Sequence, residues 1–170
     1  MPIRFAFFSV LMAVVCLSTL SGCGIYSFSG AAIDPRVKTL SVSDFQLLAS
    51  NAPPILLPTF TERLKNKFTS EARLDLRKDK PDVELSGAIV SYLVEPAASG
   101  ANDQALLNRL TLSVRVAYSN NVTKEEWTDV FKSFENFDRN ANLSDVESAL
   151  IDVLVQKVID DIYNKAFANW

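Results

Sequence analysis

The alternation of apolar and polar positions predicts the elements of this chain before any motif is considered. Val37 to Phe45 places Leu40 and Val42 on one side with Thr39, Ser41 and Ser43 between them, the period of a first strand. Ala52-Pro53-Pro54 then punctuates the chain. Leu57, Phe60, Leu64 and Phe68 recur at three- and four-residue steps, which gathers them on one side of a helix. Pro58 suits the first helical turn, where its missing N–H is not needed. Glu62, Arg63, Lys65, Asn66 and Lys67 take the other faces, so the helix is expected to lie on a sheet.

Asp82 to Glu95 predicts a long strand, with Val83, Leu85, Ile89 and Leu93 on one parity. Val90, Tyr92 and Val94 are apolar on the other, so its second half is expected to be covered on both faces. Gly87 marks a bulge or a close approach. A connection opens at Pro96-Ala97-Ala98-Ser99-Gly100 and runs to about Ala105. Beyond it the alternation is cleanest: Leu110, Leu112, Val114, Val116 and Tyr118 interleave with Arg109, Thr111, Ser113, Arg115 and Ala117. This is a strand with one wet face, and Asn120-Asn121 turns the chain after it.

Glu126 to Phe137 is ambiguous, because Trp127, Val130, Phe131, Phe134 and Phe137 have helix-like spacing. Aromatic richness and the preceding turn favour a strand, with room for a bulge. The last element is a helix opened by Ser144-x-x-Glu147, read as a capping box. Val146, Leu150, Leu154, Val158, Ile162, Ala166 and Trp170 step by four. Each step drifts by about 40° against the 3.6-residue turn, so the apolar stripe winds around the helix. One sheet covers only part of such a stripe, and the surplus is left for the first helix or a partner. The order is β-α-β-β-β-α, an α+β arrangement in which the helical crossover favours parallel pairing of the first two strands.

Composition changes the picture at one point. The chain has 170 residues, net charge −3, no histidine and two cysteines, Cys16 and Cys23. Residues 1–22 hold 15 apolar residues, Arg4 and no acid. The 148 residues behind them carry 16 basic and 20 acidic side chains, a net charge of −4. Without histidine there is no Ser-His-Asp or Cys-His pair and no imidazole metal site. Gly24, Gly30, Gly87 and Gly100 are too scattered to cradle a phosphate, and the acidic balance argues against nucleic acid. Asp160 and Asp161 point about 100° apart on a helix, a poor carboxylate dyad even with Asp152 nearby. No enzyme and no cofactor is expected.

The leading segment reads as an export signal. Met1-Pro2-Ile3-Arg4 is a short basic start, and Phe5 to Leu17 is an apolar run broken only by Ser9, too short to span a membrane. It closes as Leu20-Ser21-Gly22-Cys23, which resembles the bacterial lipobox. The resemblance implies cleavage before Cys23 and acylation of Cys23. Each buried methylene contributes about 0.8 kcal/mol, so two or three chains anchor durably where one does not. Cys16, the only other thiol, leaves with the signal. Gly24 follows the cysteine where an Asp would mark inner-membrane retention, which points to the outer membrane. The organisation expected is a signal peptide over 1–22, a lipidated segment over 23–36 and one domain over 37–170.

The mature chain resembles the LptE-type lipopolysaccharide-assembly lipoproteins. Cys23-Gly24-Ile25-Tyr26-Ser27-Phe28-Ser29-Gly30, Val37-Lys38-Thr39 with Phe45, and Leu57-Pro58-Thr59-Phe60-Thr61-Glu62 carry the likeness. Leu107-Asn108-Arg109-Leu110-Thr111, Ser133-Phe134 through Phe137-Asp138, and Asn164-Lys165-Ala166-Phe167-Ala168-Asn169-Trp170 complete it, in the same order. The resemblance implies a small mixed four-stranded sheet with two helices packed on one face. It also implies a non-enzymatic role as plug and assembly partner of the LptD-like outer-membrane barrel that delivers lipopolysaccharide to the outer leaflet. The protein would then face the periplasm or the barrel lumen. The competing expectation is a free periplasmic lipoprotein holding a small amphiphile or glycan beneath the sheet.

Lipopolysaccharide carries phosphates, so basic side chains on an exposed strand face are the natural contacts. Arg109 and Arg115 share the wet face of the cleanest strand, and Lys132 and Arg139 are expected nearby. A plain solvated sheet face accounts for the same charges.

Overall fold

The computed structural model describes residues 33–43, 45–97 and 107–167. The predicted export segment, Cys23, most of the connection after Pro96, and Trp170 lie outside the described residues. The elements are β1 (Thr39–Val42), β2 (Gln46–Leu47), α1 (Leu56–Glu71), β3 (Asp75–Leu76), β4 (Val83–Pro96), β5 (Leu107–Asn120), β6 (Glu125–Asp138) and α2 (Leu143–Phe167).

The fold is α+β, but the sheet has six strands rather than four, in the order β3-β1-β4-β5-β6 with β2 also on β4. The two additions are β2 and β3, each of two residues, too short to leave an alternation pattern. β1, β2 and β3 pair in parallel, and β4, β5 and β6 form an antiparallel meander. The predicted parallel crossover from the first strand through α1 to β4 is therefore present. Asp82 fastens its start: one carboxylate oxygen accepts from the backbone N–H of Lys38 and Thr39 and from the Thr39 hydroxyl.

The predicted first strand divides at Phe45. β1 pairs Val42 with Leu85, whereas β2 pairs Gln46 with Ala88, so one extra residue lies between them. That residue lets the Phe45 ring drop over Gly87 and meet Phe60 of α1, with ring centroids 5.2 Å apart. Gly87 is thus a close approach and not a bulge. A Cβ there would lie 2.1 Å from the Arg115 carbonyl oxygen and 2.8 Å from Phe45 Cε1.

The bulge of β4 falls instead at Val90, where the β4–β5 register shifts between Ile89 and Ser91. It inverts the parity of the rest of the strand. Val83, Leu85 and Ile89 face the core as expected, but beyond the shift Tyr92 is buried and Leu93 is exposed. The second half of β4 is not covered on both faces, since Leu93 and Val94 both reach solvent.

Residues 125–138 form the strand favoured by their aromatics, and its pairing with β5 runs from Glu125 to Asp138 without a shift. No bulge is present. The helix-like spacing arises because apolar residues occupy both faces: Trp127, Phe131 and Phe137 pack toward the core, while Val130 and Phe134 are exposed.

Both helices cover one face of the sheet. Leu56, Phe60, Leu64 and Phe68 of α1 join Leu110, Leu112, Val114 and Val116 of β5 in one core. α2 adds Ile151, Leu154, Val155, Val158, Ile159, Ile162, Ala166 and Phe167. Its surplus stripe goes to α1: Phe68 sits 5.3 Å from Tyr163 and 5.4 Å from Phe167, centroid to centroid. Ion pairs Arg63–Asp152 and Lys67–Asp160 flank that seam. The predicted capping box does not form, because α2 begins at Leu143 and Ser144 lies inside its first turn. The Glu147 carboxylate accepts from the Tyr92 hydroxyl at 2.7 Å instead, and the Ser144 hydroxyl donates to Asp145.

These contacts set how the fold responds to substitution and to pH. Gly87→Ala is expected to destabilise the fold by about 3 kcal/mol, since backbone rather than a movable side chain blocks the added carbon. Urea unfolding of the variant with a wild-type slope would measure it. Burial, with the Glu147 carboxylate adding to it, raises Tyr92 well above its ordinary 10.0, and burial also raises Tyr118 and Tyr163. Their neutral forms stabilise the fold fully below pH about 10, and that stability is lost as pH rises further. Asp82 has the opposite sign. Its backbone donors depress it below 3.8, so its contribution is present above that value and lost as pH falls. Denaturant midpoints across the range are expected to form a plateau that drops at both ends.

Candidate functional site

The helix-free face of β4, β5 and β6 is where the sequence placed its candidates, and strand alternation carries three of them there. Arg109, Thr111, Ser113 and Arg115 of β5 project away from the core row of Leu110, Leu112 and Val114. Lys132 of β6 is the register partner of Ser113, so it joins the same side. Arg139 does not. The β5–β6 ladder ends at Asp138, and Arg139 stands exposed in the turn beyond it.

Cross-strand rows give the face its geometry. Ala88, Arg115 and Val130 form one row, then Ser91, Ser113 and Lys132, then Leu93, Thr111 and Phe134, then Glu95, Arg109 and Asn136. Leu93, Val130 and Phe134 are 45%, 49% and 46% exposed, so apolar groups alternate with cations on a surface facing solvent. Thr111 is nonetheless buried, because Leu93 and Phe134 flank it. Arg109 is the cation of this face held by side-chain contacts. Its Nε donates to Asn136 Oδ1 at 3.1 Å, and its guanidinium lies 4.1 Å from the Phe134 ring centroid. Arg115 and Lys132 are exposed and form no ion pair among the described residues.

Apart from Glu95, the acids Glu84 and Glu126 of the face lie toward the β5–β6 turn. There Glu84, Ser86, Ala117, Tyr118, Ser119, Glu126, Trp127 and Thr128 line an open cleft of about 340 Å³. The helical acids are engaged elsewhere: Asp152 pairs with Arg63, Asp160 pairs with Lys67, and Asp161 is exposed, so no carboxylate dyad forms among them. No helix among the described residues is long and apolar enough to cross a membrane.

Sequence reasoning found the cations and missed their apolar neighbours. Leu93 shares the sequence parity of Val83, Leu85 and Ile89, and the inversion at Val90 that turns it to the open face leaves no mark in the composition of β4. Phe134 could have been found, since it falls on the parity opposite to Phe131 and Phe137 once the segment is taken as a strand.

Comparison with known proteins places this arrangement. No curated protein matches the sequence. Protein XCC0632 from Xanthomonas campestris has a similar solved structure, with a TM-score of 0.57, 8% identity, and coverage of 81% of this chain and 90% of that one. The hypothetical protein CT253 from Chlamydia trachomatis is similar at a TM-score of 0.54 and 11% identity, covering 78% of this chain and 99% of that one. At such identities the likeness concerns the fold alone. The model of the LptE family, described as lipopolysaccharide-assembly, matches residues 37–166, which takes in every element from β1 through β6 and α2 to Ala166. The chain belongs to the LptE lipopolysaccharide-assembly family.

Proposed function

We propose that this protein is an outer-membrane lipoprotein that plugs an LptD-like barrel, helps it assemble, and takes part in passing lipopolysaccharide to the outer leaflet. Membership of the LptE family over residues 37–166 carries the reading. Acylation at Cys23 supplies the anchor, through two or three chains held at about 0.8 kcal/mol per buried methylene. The work of such a subunit is shape and contact, which suits a domain whose helices seal one sheet face and leave the other open.

On the open face, Arg109, Arg115 and Lys132 are the proposed contacts to the anionic groups of lipopolysaccharide, beside the apolar Leu93, Val130 and Phe134. Guanidinium groups match phosphate oxygens in a fork geometry that a solvated lysine lacks. Arg139 stands off this face and is not included.

The assembly role is tested by purifying the protein from detergent-solubilised envelope. A co-migrating barrel protein is expected, and a monomer without one would refute the plug. The contact is tested separately. Arg109→Glu with Arg115→Glu is expected to weaken lipopolysaccharide binding at least tenfold while leaving the urea midpoint within the small range typical of surface changes. Unchanged binding by a folded double variant would remove these arginines from the site.

A further inference from the structure

The register gives Arg109 two neighbours on the open face, Glu95 on β4 and Asn136 on β6. Coulomb attraction alone would draw the guanidinium toward Glu95 across the strand. It lies the other way. The Nε–H donates to Asn136 Oδ1, the guanidinium stacks over Phe134, and no ion pair with Glu95 forms among the described residues.

These two contacts fix different freedoms. The stack sets the tilt of the guanidinium plane, because a cation is drawn to the negative face of the ring. The Nε bond sets the rotation within that plane, because Nε lies on the inner edge of the group. The two Nη nitrogens make no hydrogen bond to a described residue, and they are the pair that meets an oxyanion bidentately. Core packing does not explain Phe134, which is 46% exposed, whereas Phe131 and Phe137 pack toward the core.

We infer that Phe134 and Asn136 are positioning residues for Arg109, holding its outer nitrogens preset for a phosphate group of an amphiphile bound to the open face. The inference rests on the lipopolysaccharide contact proposed above and adds how that contact is prepared. Side-chain freedom that a solvated arginine would lose on binding is already lost within the fold. Phe134 also keeps the guanidinium from turning back onto Glu95, which would neutralise it within the sheet.

The test measures binding of purified lipopolysaccharide in detergent micelles to the full processed lipoprotein. Arg109→Ala is expected to weaken binding by about tenfold, and Asn136→Ala and Phe134→Leu by about three- to fivefold each. Phe134→Tyr, which keeps the ring face, is expected to bind as wild type. Glu95→Gln placed on Phe134→Leu is expected to restore most of the loss, since it removes the carboxylate that competes for the guanidinium. Unchanged urea midpoints confirm that each exposed-site variant is folded. If Arg109→Ala binds normally, both the contact and the inference fall. If Arg109→Ala weakens binding while Phe134→Leu and Asn136→Ala do not, the contact stands and the positioning role is overturned. A Phe134→Leu loss that Glu95→Gln leaves in place points to lost apolar contact alone, and likewise overturns it.

Discussion

Between Ile89 and Ser91 the β4–β5 ladder takes in one extra residue, Val90, and the two faces of the sheet exchange side chains there. Before that point the odd-numbered positions Val83, Leu85 and Ile89 enter the core. After it Tyr92 enters, and its hydroxyl reaches Glu147 on α2. The same exchange puts Leu93 on the open face, in one row with Thr111 and Phe134. A strand without the bulge would have buried Leu93 and left Tyr92 on the outside. The place of Leu93 in the candidate site and one polar tie to α2 therefore depend on a single inserted residue.

The helix layer is organised around a second local accommodation. Phe45 needs the space above Gly87, and Phe60 of α1 closes over Phe45. This sets α1 over the parallel side of the sheet, while α2 lies over β5 and β6 and turns its winding stripe toward α1 through Tyr163 and Phe167. The seam between the helices is thus aromatic inside and charged at its rim, where Arg63 meets Asp152 and Lys67 meets Asp160. Partly exposed pairs at such a rim contribute about 1 kcal/mol each, so the apolar seam does most of the holding. Asp152 and Asp160, two of the acids that suggested chemistry, are explained by that rim.

What could be seen in the sequence follows the length of each signal. β5, with strict alternation, and both helices, with repeated three- and four-residue steps, were legible because many residues repeat one message. β6 was legible as a strand only through composition, because Val130 and Phe134 on the open face mimic helical spacing with Phe131 and Phe137. β2 and β3 were invisible at two residues each, and they exist only because β4 and β1 offer edges to pair with. The capping box failed for a different reason. Glu147 has the right spacing from Ser144, yet the helix already starts at Leu143, and the buried Tyr92 hydroxyl takes the Glu147 carboxylate instead. For the site, Arg109, Arg115 and Lys132 were found because alternation alone places them, whereas their apolar neighbours depend on register and on the bulge.

Residues 23–170 carry a net charge of −4, which at first sight disfavours an anionic ligand. Net charge is the wrong quantity at this range. Glu126 lies six residues along β6 from Lys132, or roughly 20 Å at strand rise, and charges interact strongly in physiological salt only within about 8 Å. The acids near the turn therefore have little influence on the cations at mid-strand. The acid that counts is Glu95, the register neighbour of Arg109, and there the fold places an aromatic face and an amide on the opposite side. Whether this surface attracts an anion is decided by which neighbour holds one guanidinium, and much less by the sum over the domain.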